Sequence, residues 1–208
     1  MRDDIRARRE KLVLDHFHDE VAQNWDDVLA TFPHPRYEII PTQTVYDGNA
    51  AVRSYYEETR TAFPDQRHEM IALRHSDDAV IAEFYLLGTH LGPLGPVPPT
   101  GAAFKVRMTA FFVFRGEEEL VCERVYFDQL SFLRQLLGGI DLKSPKGILL
   151  LLKVLRGFGK LSRRPRDVIP DAALGSRSTP TIVTVRAGNG GGGEASFDSA
   201  GGASRRTI

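Results

Sequence analysis

Cysteine is almost missing from this chain. The single Cys122 in 208 residues excludes an internal disulfide and any multi-cysteine zinc site, so nothing requires an oxidising compartment and a cytoplasmic protein is expected. Long apolar runs are absent as well. The greasiest stretch, Ile148 to Phe158, carries eight apolar residues interrupted by Lys153, Arg156 and Gly157, whereas a bilayer span needs about 20. The segment Met1 to Glu10 mixes charges and lacks the apolar core of a secretory signal, so it is expected to stay on the mature protein. Net charge is also missing, with 27 basic against 27 acidic residues. That balance hides an asymmetry: residues 141–166 hold eight Lys/Arg and one acidic residue, the tail from 167 holds four of each, and 1–140 holds 15 basic and 22 acidic. An acidic body repels a phosphate backbone, which excludes nucleic acid as its ligand. Any anionic partner would meet the basic segment.

What is present reads as helices followed by strands. Ile5, Leu12 and Phe17 anchor a charged amphipathic helix over Asp4–Phe17, with Asp3 or Asp4 as its cap. Trp25, Val28, Leu29 and Phe32 then recur at i, i+3, i+4 and i+7 after Asn24, and Pro33 and Pro35 end that second helix. Tyr37 to Thr44 reads as extended, Asp47-Gly48 as a turn, and Ala50 to Phe63 as a third helix closed by Pro64-Asp65. Strands follow at Glu69–Arg74 and Ala79–His90, then at Phe104–Phe114 and Leu120–Phe127, with polar turns that favour antiparallel neighbours. This order predicts an α+β domain over 1–140, with helices packed on one face of a curved antiparallel sheet and a pocket between them. Apolar residues on both sides of Phe111-Phe112-Val113-Phe114 suggest a homodimer through the sheet. Gly92 to Gly101 is too rich in Gly and Pro to join a ladder or helix, and is either a plain connector or a rim over the pocket.

Past residue 140 the character changes. Residues 141–166 form a basic, apolar helical segment that either lies in an anionic membrane surface, making the protein peripheral at the inner membrane face, or packs on the domain or a second subunit. From Gly175 on, Gly, Ser and Arg dominate and no core can form, so 167–208 is expected to be a disordered tail.

Chemistry concentrates where the last strand becomes a helix. Asp128 follows the strand Leu120–Phe127 and precedes Leu130, Leu133, Leu136 and Leu137 at helical spacing. It is either an N-cap or a carboxylate pointing into the mouth of the sheet. Trp25-Asp26 to Phe32, Tyr46-Asp47-Gly48, Ala62-Phe63-Pro64-Asp65, Gly88-Thr89-His90 with Gly92-Pro93, Pro98-Pro99-Thr100-Gly101 and Glu123 to Asp128 stand in an order that resembles the SnoaL-like polyketide cyclase (ester cyclase) family of the NTF2-like superfamily, over roughly residues 8–140. The resemblance implies a cone-shaped fold and a ring closure by intramolecular aldol chemistry on a hydrophobic polyketide-like carbonyl compound, with neither metal nor cofactor. It also implies Asp128 as the acid/base, a counterpart of the family's Asp, with His90 a candidate to share the proton transfer. Arg124 and Tyr126, placed by alternation on the face of Asp128, are candidates to orient it or bind a substrate oxygen.

Alternation assigns the remaining candidates. Glu83, with Ile81, Tyr85 and Leu87, is read as a pocket or interface residue, and Tyr85 and Trp25 as further substrate contacts. Glu123, opposite in facing to Arg124, is read as solvent-facing or at a dimer sheet. His16, His18, His34, His68 and His75 offer no defensible metal-ligand spacing, so no metal is expected. The fold does not settle activity. The alternative to a cyclase is a non-catalytic binder of an apolar molecule brought to a membrane by the basic segment. A limonene epoxide hydrolase-like enzyme ranks last, since its Asp-Arg-Asp network would have only Asp128 and Arg124 to draw on.

Overall fold

The computed structural model describes residues 2–161. Helices α1 (Arg2–Ala22) and α2 (Trp25–Ala30) lead into β1 (Arg36–Ile39), a 3-10 turn (Ile40–Thr42) and β2 (Thr44–Asp47). Helix α3 (Asn49–Ala62) precedes the long strands β3 (Arg67–His75), β4 (Ala79–Thr89), β5 (Ala103–Arg115) and β6 (Glu119–Phe127), and α4 (Gln129–Gly138) and α5 (Pro145–Leu161) follow. All six strands form one curved sheet in the order β2-β1-β6-β5-β4-β3. The α+β architecture is therefore as the sequence predicts, with α1, α2 and α3 covering the concave face around a core that includes Val13, Phe17, Val28, Tyr56, Phe84 and Phe112.

Two departures bear on the site. Helix α1 continues past Phe17 to Ala22 because its buried stripe is Arg9, Val13, His16, Phe17 and Glu20, helical in spacing but half polar, so that hydrophobicity alone does not reveal it. The extended segment expected over Tyr37–Thr44 breaks at Ile39. It turns through Ile40, Pro41 and Thr42, with Gln43 left-handed at φ 51, and returns as β2. Strand β1 is thereby inserted beside β6 in parallel, pairing Tyr37 with Glu123, Glu38 with Arg124 and Ile39 with Val125. Such a pairing joins segments some 86 positions apart in number, as Glu38 and Arg124 do, and no local pattern announces it.

The segment Gly92–Gly101 is a tied loop. Leu94 and Val97 bridge to each other, and Val97 is buried with Ile140 and Val154 against Leu150, Leu151 and Phe158 of α5. Helix α5 thus packs on the domain along one face. Gly157 makes that approach possible, since a Cβ there would stand 2.6 Å from the Pro96 carbonyl oxygen. Residues 162–166 of the basic segment and the tail expected over 167–208 lie outside the described residues. Among the described residues no helix is long and apolar enough to cross a membrane.

Arg9 anchors α1 to the sheet. Its guanidinium, 6% exposed, donates to the carbonyls of Glu117 (2.7 Å), Asp77 (3.0 Å) and Gly116 (2.7 Å) and lies 4.7 Å from the Phe114 ring centroid. One side chain therefore satisfies acceptors in both hairpin turns, β3–β4 and β5–β6. Arg9→Met should destabilise the protein by about 2 kcal/mol, since hydrogen bonds to a charged group are worth roughly 1.5–3 kcal/mol each and water can replace part of them at the exposed turn carbonyls. Urea unfolding of the two proteins measures the difference, and a change under about 0.5 kcal/mol would show the contacts to be incidental.

Candidate active site

Between the concave sheet face and the helices lies a cavity of about 530 Å³. Its walls are largely aromatic and aliphatic, with Phe63, Phe84, Met108, Phe127 and Phe132 among them, and Phe158 of α5 and Leu94 of the loop complete one side. Into this apolar surface project Glu123 from β6, Tyr37 from β1, Tyr55 and Tyr56 from α3, Glu20 from α1 and His68 from β3. Volumes of this size suit a small organic ligand.

Strand geometry explains why Glu123 points inward. In β6 the side chains of Glu123, Val125 and Phe127 line the cavity, while Arg124 and Tyr126 take the other face. Beside Glu123, Tyr37 occupies the matching position across the parallel ladder. Behind them His16, fully buried, sits with Nδ1 3.0 Å from Thr31 Oγ1 and Nε2 2.7 Å from the Tyr37 hydroxyl. The Thr31 hydroxyl donates to the Val28 carbonyl at 2.6 Å, so it accepts from Nδ1–H, and this fixes the tautomer with Nε2 turned toward the cavity floor. Tyr37 and Tyr56 share a hydrogen bond, and His16 Nε2 stands 3.4 Å from Glu123 Oε2. That oxygen is buried and accepts no hydrogen bond from the described residues. With Nδ1 committed to Thr31, Nε2 is the acceptor for the Tyr37 hydroxyl.

Burial, reinforced by the charges of Glu123 and Glu20, holds the phenols of Tyr37, Tyr55 and Tyr56 well above the usual tyrosine range. They are hydrogen-bond donors throughout the working pH range. A second carboxylate, Glu20, accepts from Gln66 Nε2 at 3.2 Å and lies 3.7 Å from His68 Nε2. Arg60 donates at 2.6 Å to the carbonyls of Gln66 and Glu20, pinning this corner to α1. Among the described residues no three His, Cys, Asp or Glu side chains gather as a metal-binding group.

The residues singled out from the sequence lie elsewhere. Asp128 caps α4: its Oδ1 accepts from the backbone N–H of Leu130 (3.0 Å) and Ser131 (3.1 Å) and its Oδ2 from the Ser131 hydroxyl (2.6 Å). The Ser131 side chain and backbone, then Leu130, hold its carboxyl below the ordinary range, and it is not among the cavity walls. His90 is buried behind Phe63, with ring centroids 5.5 Å apart and Nδ1 3.1 Å from Thr100 Oγ1. It ties the two ends of the Gly-Pro loop rather than facing the cavity. Arg124 donates from Nε to Glu38 Oε2 at 2.6 Å on the outer sheet face, and Tyr126, 40% exposed, packs edge-on against Phe111. Glu83 is held on that same face by Arg107 and Arg74, and the Tyr85 ring lies 4.3 Å from Lys105 Nζ. Trp25 stacks on Tyr56 at 4.8 Å and so backs the cavity wall without forming it. Glu123, read from sequence as solvent-facing or at a dimer sheet, is 4% exposed and inside. The signal that finds it is its own alternation with Val125 and Phe127, two apolar residues that seek the core.

The chain matches the SnoaL-like polyketide cyclase family over residues 12–136, more than half its length. It belongs to that family. Among solved structures, a protein assigned as a SnoaL-like polyketide cyclase from Jannaschia sp. CCS1 is 19% identical, with a TM-score of 0.57 over 62% of this chain and 92% of that one. A protein assigned as a polyketide cyclase from Xanthomonas campestris pv. campestris is 19% identical, with a TM-score of 0.57 over 64% and 98%. The epoxide hydrolase/cyclase-like enzyme SalBIII, described for pyran ring formation in the polyether salinomycin, is 19% identical, with a TM-score of 0.52 over 63% and 97%. At these identities the likeness establishes the fold. A search of the curated proteins finds no match. The family assignment supports a cyclase-type role, and the matched region ends before α5 begins.

Two buried histidines bear on how stability depends on pH. Burial first, partly offset by Glu20 and Glu123, lowers His68, and burial likewise lowers His90. Below about pH 6.5 the unfolded chain binds protons that these imidazoles refuse in the folded state, so stability falls as pH drops through that range. Melting temperature followed from about pH 8 to about pH 5 should decline below about pH 6.5, and His68→Gln/His90→Asn should flatten the decline. A slope unchanged in the double variant would assign the effect to other groups.

Proposed function

We infer that this SnoaL-like protein is a cyclase-type acid/base enzyme, in which Glu123 removes an acidic C–H proton from a hydrophobic, polyketide-like carbonyl compound held in the cavity. The observation that carries the reading is a carboxylate, 4% exposed, in the wall of an apolar cavity, with one of its oxygens buried 3.4 Å from His16 Nε2. Proton transfer to a positioned carboxylate contributes roughly 10²–10⁴-fold to rate. The electron pair left on carbon becomes an enolate, whose oxygen can be stabilised by the phenol O–H of Tyr55, a cavity tyrosine kept protonated by burial. The enolate carbon attacks a second carbonyl of the same molecule, forming a C–C bond. The proton held by Glu123 then passes to the new alkoxide, so atoms and charge balance and the carboxylate is restored. His16 and Tyr37 act as positioning residues beside the carboxyl group.

Deuterium exchange at the α-carbon of a simple β-keto ester, followed by NMR, tests the enolisation step without knowledge of the natural substrate. Glu123→Gln should lower the exchange rate by roughly 10²-fold or more, while Asp128→Asn, which preserves a capping oxygen, should stay within a few-fold of wild type. The reverse ranking would return the acid/base role to Asp128. Binding of the ester with no exchange above background in wild type would make the protein a non-catalytic binder.

A further inference from the structure

Helix α5 has two unlike faces. Inward, Leu150, Leu151, Val154 and Phe158 pack on Val97, Ile140 and Leu94. Outward, Ile148, Leu149, Leu152 and Leu155 are 50%, 54%, 59% and 49% exposed. Ile148, Leu152 and Leu155 follow i, i+4 and i+7 and therefore stack as one stripe. Alongside it Lys146, Lys153, Arg156 and Lys160 are all exposed, and among the described residues none of them makes an ion pair. The helix contains no acidic residue. Lys153, Arg156 and Lys160, with Pro96 and Pro98 of the loop, border a shallow groove of about 280 Å³.

We propose that this outer face docks on an anionic membrane surface, with the apolar stripe in the headgroup–acyl boundary and the basic row against lipid phosphates. An interfacial helix combines these features: a broad apolar face, a Lys/Arg-rich flank and too short an apolar run to span. Charge selects the occupant. A second copy seated on the stripe would bring two rows of four cations together with no acid on either helix, a repulsive arrangement. The chain from residue 167 is balanced at four basic and four acidic residues and offers no complement. Nucleic acid phosphates would leave the leucines in water. The acidic body, 22 acidic to 15 basic residues over 1–140, is repelled by anionic lipid, so the field orients the protein with α5 toward the surface. Because Phe158 on the opposite side of the helix forms part of the cavity wall, docking would bring the cavity to within about one helix diameter, roughly 10 Å, of the lipid. The proposal is independent of the acid/base role of Glu123.

Co-sedimentation of the full chain with vesicles of phosphatidylcholine, alone or mixed with phosphatidylserine, tests it. The protein should sediment with the mixed vesicles at low salt, remain in solution with the neutral ones, and be released at about 0.5 M salt, where the Debye length falls below about 5 Å. Leu152→Ser/Leu155→Ser and, separately, Lys153→Glu/Arg156→Glu should each weaken binding at least tenfold at unchanged melting temperature, since all four side chains are exposed. Failure to bind mixed vesicles at low salt overturns the proposal, and so does equal binding to both vesicle types. Wild-type binding by the serine variant would assign attachment to another part of the chain and overturn it too. So would loss of a dimer in that variant, seen by sedimentation velocity, without any vesicle binding by the wild type.

Discussion

Three residue pairs in the parallel ladder between β1 and β6 set the character of both faces of the sheet. Because side chains alternate along each strand, pairing Tyr37 with Glu123 and Glu38 with Arg124 sends one carboxylate into the cavity beside a phenol and the other to the outer face beside a guanidinium. A slip of β1 by one residue would turn Tyr37 outward and bring Glu38 inside beside Glu123. The outer pair has the means to prevent that slip. Glu38 is fully buried between Arg36 (3.0 Å) and Arg124 (2.6 Å), and breaking such a pair by removing one partner costs about 3–5 kcal/mol because a buried charge is stranded. Strand β1 is only four residues long, so its backbone bonds alone fix register weakly. The ion pair outside therefore holds Tyr37 in place beside the carboxylate inside.

That inner carboxylate is a local violation of good packing. A buried polar group without its full set of hydrogen bonds costs about 1–3 kcal/mol, and more when charged. Glu123 Oε2 is such a group, yet its surroundings are tightly organised. His16 is oriented by Thr31, Tyr37 by His16, Tyr56 by Tyr37, and the ring of Tyr56 by Trp25 stacked behind it. Each link limits the freedom of the next, so that the groups packed against Glu123 have fixed positions. Local disregard for stability amid a rigid support is the signature expected of a site that does chemistry.

The architecture was legible where periodicity was strong. The strands from Arg67 to Phe127 and the helix from Asn49 follow patterns of apolar side chains that the sequence displays openly. What escaped has a common physical cause: polar residues on buried faces. His16 and Glu20 disguise the end of α1, and Glu123 looks solvent-facing only if every carboxylate is assumed to seek water. Asp128 sits at a real junction, but the first turn of α4 offers two backbone N–H groups and the Ser131 hydroxyl, a stronger claim on its oxygens than an apolar cavity makes. Placing Arg124 and Tyr126 on its face was correct as alternation and inverted as topology, since Val125 and Phe127 decide which side is the interior. The parallel partnership that brings Tyr37 to Glu123 had no local signature at all.

Helix α5 lies beyond the family's matched region, which ends at residue 136, but it is built into the cavity. Phe158 stands in the wall together with Leu94, and the loop that carries Leu94 is held to the helix by Val97 packed on Val154 and by the side-chain-free approach at Gly157. Any Cβ at Gly157 would press on the backbone of Pro96 and push helix and loop apart, opening the cavity on that side. A segment added only to extend the chain would have no reason to meet this constraint. Through Phe158 the inner face of α5 takes part in the wall that a ligand would touch.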